Sequence, residues 1–415
     1  MTPYSGSKQR RTPELTIELL QRGTLRLERT WQCKRDLQLH SIALRCMLQG
    51  GPEGHNGNSG LVCTEFSSLR LPFARGGGGY GGMKALLLKG PRQLELVDLA
   101  RPDLSPGQVR VRIRKVGVCG SDYSSIAGKL PFTRFPIVPG HEASGEVVEA
   151  GLQAAWPPGE RVLLHPILGN RRDPVFARGE VHHSESTEVL GVVSRPGAYA
   201  EEAVVEDYML RRIPAGMDYE TAAMVEPVAV ATRALQRGAL RPGDRVLVLG
   251  AGNIGLLVVQ VARALGAARV VTTDLVPERL NLAVKLGVDQ ALDVREGFPR
   301  AALEKQFDLV IDGVGSEASV QDALSSCARG GRIVVYGVPG GDIVFPLKAA
   351  FAKDVVLATS RLYDADFDLA IRLTAEGKVR PQELITHRVT LAEAPALISR
   401  VLNGQEQAIK VMISP

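Results

Sequence analysis

The chain has 415 residues, of which 45% are hydrophobic and 23% charged, with a net charge of +5 at pH 7; this composition is typical of a globular protein with large buried cores. The basic excess lies within residues 1–82, while residues 83–415 carry equal numbers of acidic and basic residues, so we expect no nucleic-acid partner. No apolar run reaches the roughly 18 residues of a membrane helix, and no apolar signal core opens the chain, so we expect a cytoplasmic location and no membrane partner.

Residues 1–82 form a poor candidate for a folded domain. One amphipathic segment is followed by glycine-rich stretches that end in ARGGGGYGG, a composition typical of a disordered extension with a flexible linker. A second interpretation is a misassigned start, because purine-rich ribosome-binding sequence read as codons gives runs of Gly and Arg. We therefore expect residues 1–82 to be disordered or a misassigned N-terminal extension.

From Met83 onward the pattern predicts two kinds of fold. Short β-rich runs such as GQVRVRIRKVGV are separated by Gly and Pro, which indicates an antiparallel β unit. From Arg245, the apolar strands RVLVLG and ARVVTTD alternate with the helical segments NIGLLVVQVARALG and PERLNLAVKLG. This alternation predicts an α/β domain with a doubly wound parallel sheet, and the C-terminal segment returns to mixed elements.

The segment RVLVLGAGNIGLL contains a candidate dinucleotide-binding turn. Gly250, Gly252 and Gly255 have the spacing G-x-G-x-x-G, directly after a predicted strand and at the start of a predicted helix. The three glycines allow a tight turn, close approach of a pyrophosphate and close helix packing, and the helix N-terminus attracts phosphate. We expect Ile254, within the same turn, to contact the cofactor as well; the alternative is a tight turn without a ligand.

An acid follows at the end of the second predicted strand. Asp274 lies 19 residues after Gly255, where a carboxylate can accept hydrogen bonds from the ribose 2′-hydroxyl and repel a 2′-phosphate. Arg279 is close enough in sequence to flank the adenosine. The sequence therefore favours NAD over NADP, without making the preference absolute.

Three separate motifs supply candidate metal ligands. GVCGSD contains Cys119, VPGHEASGEV contains His141 and Glu142, and MVEPVAVATRAL contains Glu226. Taken singly, each residue has an ordinary structural explanation as a core thiol, a turn histidine or a solvated acid. Together they offer thiolate, imidazole and carboxylate, a ligand set that suits a catalytic Zn²⁺ with one position left for substrate.

These motifs, with GGRIVVYG, resemble the zinc-dependent medium-chain dehydrogenase/reductase family, and most closely its sorbitol, threonine and polyol dehydrogenase branch. The resemblance covers residues 83–415. It implies a GroES-like β-rich catalytic domain formed by residues 83–227 and 358–415, around a Rossmann NAD-binding domain at 228–357. It also implies a homodimer or homotetramer.

The resemblance assigns roles residue by residue. Cys119 and His141 match the thiolate and imidazole ligands of the catalytic zinc. Glu142 matches an acid that binds the metal in some members and supports the site in others, and Glu226 matches a carboxylate that binds it directly or through water. Ser121 matches the hydroxyl of the proton relay, so we expect Ser121 and Glu142 to be catalytic.

Further correspondences are less complete. Asp274 and Arg279 match contacts to the adenosine ribose, and Arg361 is similar to an arginine near the nicotinamide and substrate. Many relatives carry His where this chain has Ser124. Serine at position 124 can form a hydrogen bond but does not titrate near neutral pH, so it cannot replace that histidine as a titrating group in the proton route beyond Ser121.

The segment NRRDPVFARGEVHHS lies where the family has a lobe with four cysteines spaced C-x2-C-x2-C-x7-C around a structural zinc. The four positions are here Asn170, Asp173, Phe176 and Ser184. We therefore expect the structural zinc to be absent and the lobe to be more mobile. His182 and His183 are alternative ligands, although adjacent histidines in a polar loop are more often solvated.

The sequence predicts a zinc-dependent oxidoreductase that transfers a hydride from a secondary alcohol to NAD. The substrate would be a polyol, sugar or amino alcohol. One alternative is a zinc-free quinone or enoyl reductase of the same fold, against which the candidate zinc ligands count. Another is a non-catalytic NAD-binding protein.

Overall fold

The computed structural model describes residues 15–20, 24–29, 44–46 and 82–415. In the compact unit Met1–Phe73, three strands form an antiparallel sheet in the order β1-β2-β3: β1 (Leu15–Leu20), β2 (Thr24–Arg29) and β3 (Leu44–Cys46). The rest of residues 1–81 lies outside the described residues, so the expectation of disorder or a misassigned start stays a prediction.

The first part of the second unit, Ala74–Pro415, is rich in strands because apolar and polar residues alternate along it. In the strand Gln108–Gly117, Val111 and Ile113 are buried while Arg112 and Arg114 are exposed. This alternation is expected for a sheet that packs one face on a core. The elements are β4 (Met83–Leu88), β5 (Leu94–Leu99), β6 (Gln108–Gly117), α1 (Gly120–Ile126), β7 (Glu142–Ala150), β8 (Arg161–Leu164), β9 (Ile167–Leu168), α2 (Pro174–Ala177), a 3₁₀ turn (Val181–His183), β10 (Glu188–Val189), β11 (Glu202–Glu206), a 3₁₀ turn (Asp207–Met209), β12 (Leu210–Arg212), α3 (Tyr219–Ala223) and α4 (Val225–Arg237).

A six-stranded parallel sheet follows, in the order β15-β14-β13-β16-β17-β18. Its central strand is buried from Val246 to Leu249, because helices cover both faces of such a sheet. The elements are β13 (Arg245–Leu249), α5 (Asn253–Ala264), β14 (Arg269–Asp274), α6 (Pro277–Lys285), β15 (Gln290–Asp293), α7 (Arg300–Leu303), β16 (Phe307–Asp312), α8 (Glu317–Ser326), β17 (Cys327–Val335), α9 (Leu347–Lys353) and β18 (Val356–Thr359).

The C-terminal elements return to the first sheet. They are α10 (Asp366–Ala375), a 3₁₀ turn (Pro381–Leu384), β19 (Ile385–Thr390), α11 (Ala394–Leu402) and β20 (Lys410–Ser414). β20 lies between β6 and β19 in the seven-stranded sheet, whose main path is β12-β8-β7-β6-β20-β19 with β11 beside β6. Both ends of residues 83–415 therefore build one sheet. The predicted domain boundaries at 227 and 357 lie within α4 and β18, and the division into domains at these points stays a prediction.

A shared core joins the two sheets. It contains buried residues of α4 and of the parallel sheet, such as Val228 and Val248, together with Met412 of β20. Among the described residues, no helix is long and apolar enough to cross a membrane.

Candidate active site

Three candidate ligands lie around the paired ends of β6 and β7. Cys119 follows β6 and is the N-terminal cap residue of α1, and Glu142 opens β7, paired with Gly117 of β6. The ligand atoms of Cys119, His141 and Glu142 all lie within 4.8 Å of one another. The structure therefore brings together the thiol of one motif with the adjacent imidazole and carboxyl group of another, in which the histidine lies 22 positions after the cysteine in the sequence.

The Glu142 carboxylate is held by a buried lysine. Lys410 Nζ donates to its two oxygens at 2.8 and 2.6 Å and to the Val118 carbonyl at 3.1 Å. A Cβ atom on Gly117 would come within 2.2 Å of Glu142 Oε2, so a larger residue there would displace the carboxylate. The position of Glu142 is therefore fixed from both sides.

Glu226, the fourth predicted metal ligand, lies outside the cluster formed by the other three. It is buried in the first turn of α4, and its Oε1 accepts a 2.6 Å hydrogen bond from the Tyr363 hydroxyl. Burial raises the pKa of Glu226 to about 7, with a further increase from the neighbouring Glu142 charge that His141 opposes. The carboxyl group is thus close enough to the cluster to interact with it through charge.

Asp122 supports the cluster from α1. Its Oδ2 accepts hydrogen bonds from the Cys119 backbone N–H at 2.9 Å and the Tyr199 hydroxyl at 2.7 Å, and its Oδ1 lies 3.7 Å from His141 Nδ1. Burial raises the pKa of Asp122, while the His141 charge and these hydrogen bonds lower it. Asp122 therefore holds the cysteine loop by a hydrogen bond, and its charge lies near the imidazole although Oδ1 and Nδ1 form no hydrogen bond among the described residues.

The electrostatics of the cluster suit a cation. Burial lowers the pKa of both His141 and Lys410, yet the negative charges around them, chiefly Asp122 for the former and Glu142 for the latter, raise both pKa values on balance. The surrounding carboxyl groups thus favour positive charge within the site. With a soft thiolate, an imidazole and a carboxylate converging, these residues fit Zn²⁺.

The dinucleotide turn has the geometry that its glycines predict. Gly250 has φ +94°, which only glycine adopts freely. A Cβ on Gly255 would lie 1.9 Å from the Gly250 carbonyl oxygen, whereas a Cβ on Gly252 would meet nothing within 4 Å. The backbone at Gly252 is therefore open to a ligand at the N-terminus of α5, as a pyrophosphate requires.

A cavity of about 480 Å³ extends from this turn to the candidate metal cluster. Its lining includes residues of the parallel-sheet part, namely Ile254, Asp274 and Arg279. It also includes Cys119 and Lys410, which lie at the candidate metal cluster. Asp274 accepts hydrogen bonds from the backbone N–H groups of Ala251 at 2.7 Å and Val276 at 2.9 Å. The acid therefore stabilises the glycine turn while facing the cavity, and Arg279 Nη1 lies 3.6 Å from it.

Three predicted residues have less direct positions. Arg361 is exposed and is absent from the lining of this cavity, so its contact with nicotinamide stays a prediction. The Ser121 hydroxyl is buried and has no hydrogen-bond partner among the described residues. The Ser124 hydroxyl donates to the Gly120 carbonyl at 3.1 Å, which ties it to its own helix.

We refer to residues 170–189 as the lobe. Ser184 Oγ donates a 2.7 Å hydrogen bond to Asp173 Oδ2, and the Phe176 ring lies edge-on to Tyr208 with centroids 5.1 Å apart. His182 is buried beside Arg233, with 3.2 Å between His182 Nε2 and Arg233 Nη2. The lobe is therefore connected by a hydrogen bond and an aromatic contact; whether it is more mobile than a zinc-bound lobe stays a prediction.

Comparison with known proteins identifies the family. Residues 105–215 match the alcohol dehydrogenase GroES-like domain, and residues 253–376 match the zinc-binding dehydrogenase domain. Human sorbitol dehydrogenase is 31% identical over 323 residues, which cover 75% of this chain and 90% of the human protein. The chain belongs to the zinc-dependent medium-chain dehydrogenase family.

Solved structures of medium-chain dehydrogenases agree with this fold. An Escherichia coli CFT073 alcohol dehydrogenase complexed with NADH is 28% identical, with a TM-score of 0.75 over 81% of this chain and 100% of that one. A zinc-binding dehydrogenase from Sinorhizobium meliloti bound to NADP is 26% identical, with a TM-score of 0.76 and the same coverage. This medium-chain dehydrogenase is thus an oxidoreductase with a GroES-like and a Rossmann fold, in a zinc-binding family whose structures contain either nicotinamide cofactor.

Three residues of the site escaped prediction from the sequence. Lys410, Tyr199 and Tyr363 each bond to a carboxyl group of the site. None belongs to one of the motifs quoted above. One signal was available in the strand KVMIS, where Lys410 directly precedes three apolar residues, since buried lysines are almost always paired.

Proposed function

We propose that this dehydrogenase oxidises a secondary alcohol of the polyol class, with NAD as hydride acceptor and one zinc ion per chain. The observation that carries the proposal is the single cavity lined by both Cys119 and the glycines of the dinucleotide turn. Substrate and cofactor would share this cavity, as direct hydride transfer requires. The polyol class is supported by the similarity to human sorbitol dehydrogenase.

Zinc would be held by Cys119, His141 and Glu142, with Glu226 as a direct or water-mediated ligand, and when bound it supplies Lewis-acid activation of the substrate hydroxyl. The other groups of the site adjust its charge and shape. Lys410 compensates the Glu142 carboxylate within a buried ion pair. The closely fixed side chains favour one orientation of the substrate.

Ser121 would accept the proton of the substrate hydroxyl. Its buried Oγ has no hydrogen-bond partner among the described residues, so both its donor and its acceptor capacity remain available. The next hydroxyl, on Ser124, donates to the Gly120 carbonyl and cannot titrate near neutral pH. The proton would therefore leave Ser121 by a path other than a titrating side chain at position 124.

The nicotinamide cofactor would lie along the cavity and supplies the hydride acceptor when bound. The Asp274 carboxylate would accept hydrogen bonds from the ribose and repel a 2′-phosphate, which favours NAD. Arg279 is partly neutralised because Asp274 lies 3.6 Å away. A cytoplasmic location belongs to the same proposal, and it is supported by Cys119 and Cys327, which form no disulfide among the described residues, as is usual in reducing compartments.

The test measures zinc per chain by mass spectrometry and NADH formation at 340 nm, with sorbitol, xylitol and ribitol beside ethanol. We expect one zinc and the highest kcat/KM with a polyol and NAD. Cys119→Ser should lose the zinc and the activity, whereas Cys327→Ala, at a buried core cysteine, should keep both. Two zinc ions would contradict the single site, and no turnover with any alcohol by zinc-loaded protein would refute the function.

We also propose that the enzyme is a homo-oligomer. β18 is the outer strand of the parallel sheet. Exposed apolar residues lie on β18 and on the preceding helix α9: Leu347, Phe351, Val356 and Leu357. An unpaired apolar edge is an aggregation hazard unless it is covered. A second copy, with its own β18 paired antiparallel across a two-fold axis, would cover it.

Analytical ultracentrifugation tests this interface. We expect Phe351→Asp to dissociate the oligomer, because Phe351 is 87% exposed within the patch and a charge there would be buried in the interface. Leu152→Asp is the matched control, since Leu152 is 100% exposed and lies outside the patch. A wild-type monomer, or dissociation by both variants, would contradict the proposal.

A further inference from the structure

Two adjacent residues contact both the candidate metal site and the lobe. Tyr363 and Asp364 lie in the loop before α10. The Tyr363 hydroxyl donates a 2.6 Å hydrogen bond to Glu226 Oε1. Asp364 Oδ2 accepts a 2.7 Å hydrogen bond from the backbone N–H of Val181 in the lobe. A movement of one residue therefore acts directly on the backbone that carries the other.

Tyr363 is rigidly held. Its side chain is 1% exposed, with the His165 ring edge-on at 5.4 Å and the Phe367 ring stacked at 5.5 Å between centroids. Close packing of this kind leaves few alternative rotamers. The hydroxyl can therefore move relative to Glu226 only when the backbone at Tyr363 moves.

The backbone before Tyr363 is strained. Leu362 has φ +55°, in the left-handed region that residues with a branched side chain rarely adopt. Such conformations persist where surrounding contacts impose them, often near functional sites. The Val181–Asp364 and Tyr363–Glu226 hydrogen bonds lie on the C-terminal side of this residue, so they are among the contacts that can maintain it.

Besides its contact with Asp364, the lobe contacts α4, the helix that carries Glu226. His182 Nε2 lies 3.2 Å from Arg233 Nη2. Arg233 follows Glu226 by seven residues on α4, which places both on the same face of the helix. The lobe thus approaches Glu226 through α4 as well as through Asp364.

We propose that Asp364 and Tyr363 are positioning residues that act together. Asp364 holds the lobe through the backbone of Val181, and Tyr363 fixes the Glu226 carboxylate. A displacement of the lobe would therefore move Asp364 and Tyr363 and, through them, Glu226. The role of Glu226 at the reacting centre rests on the proposed function. Loss of either contact lets the carboxylate rotate, which reduces turnover more than substrate binding because the orientation matters most in the transition state.

The experiment compares Asp364→Ala and Tyr363→Phe in the full chain by hydrogen–deuterium exchange and by kcat and KM for sorbitol. We expect Asp364→Ala to accelerate exchange in residues 170–189 and 225–237. Both variants should lower kcat about tenfold, the effect of one lost hydrogen bond to a charged group, with KM changed less than about threefold. Asp364→Asn retains an acceptor oxygen and should restore both readouts.

Asp368→Ala is the control, because the Asp368 side chain is 74% exposed and pairs with Arg211 at 3.5 Å; it should behave as wild type. The double variant should lose no more kcat than Tyr363→Phe alone, because coupled residues are non-additive. Two results would overturn the proposal. One is a double variant whose loss of kcat is the product of the two single losses. The other is an Asp364→Ala variant in which exchange is faster in residues 170–189 while exchange in residues 225–237 and kcat are both unchanged. If wild type turns over no polyol, the proposed function fails, and exchange in 225–237 still decides the coupling.

Discussion

Removal of the Lys410 ammonium group is expected to destabilise the enzyme strongly. Lys410 Nζ lies 2.6 Å from Glu142 Oε2, and both side chains are 1% exposed. In Lys410→Met the Glu142 carboxylate would remain buried without its cation. Breaking a buried pair in this way costs about 3–5 kcal/mol, whereas the similar volume of methionine adds little packing cost.

The assay is urea unfolding of chelator-treated protein, followed by circular dichroism at fixed protein concentration. Lys115→Met is the control. Lys115 pairs with Glu220 at 2.9 Å and its side chain is 27% exposed, and Glu220 keeps Arg388 at 3.0 Å when Lys115 is removed, so we expect a loss of about 1 kcal/mol or less. In the double variant with Glu142→Gln most of the stability should return, since no unpaired charge stays buried. A loss below about 1 kcal/mol for Lys410→Met, or equal losses for both lysines, would refute the reasoning.

Three further predictions concern pH, the turn and the cofactor. Burial lowers the pKa of His165 from 6.5 to about 4. Between these pH values the unfolded chain therefore binds more protons at this residue than the folded chain does. The free energy of unfolding should be unaffected by His165 above pH 6.5 and should decrease by about 3 kcal/mol as pH falls toward 4. His165→Phe should flatten the pH dependence of the unfolding free energy, and an unchanged slope would contradict this. Gly255→Ala should abolish NADH binding in fluorescence titrations, because the added Cβ would lie 1.9 Å from the Gly250 carbonyl oxygen. Gly107→Ala is the control and should bind NADH normally, since nothing lies within 4 Å of a Cβ at that position. Asp274→Ser should raise the ratio of kcat/KM for NADP to that for NAD about tenfold or more, since it removes the charge that repels a 2′-phosphate; an unchanged ratio would rule out Asp274 as the discriminating residue.

Features of the site encoded by local sequence could be predicted. The glycine turn and Asp274 follow from strand–helix alternation and spacing, because a few successive elements determine their geometry. The convergence of Cys119 and His141 followed from the family resemblance and from ligand chemistry, since periodicity alone gives no distance between two motifs. The doubly wound sheet was likewise evident from alternating strands and helices.

Other features depend on contacts between distant parts of the chain. Lys410 and Glu142 are 268 positions apart, and Tyr363 and Glu226 are 137 apart. Such pairs form only once β20 lies beside β6, and no local pattern specifies that order. The lobe illustrates the same limit, because the loss of its cysteines was visible in the sequence while the bond between Asp173 and Ser184 was not.

The insertion of β20 between β6 and β19 has a consequence for biosynthesis. Domains fold as units while the chain is synthesised from its N-terminus, and all strands of the parallel sheet precede residue 360. The nucleotide-binding half can thus form on the ribosome before Lys410 is translated. A nascent chain that stops just short of this residue would contain the whole parallel sheet and yet hold an uncompensated Glu142, so the ion pair of the candidate site is complete only once residue 410 has been added.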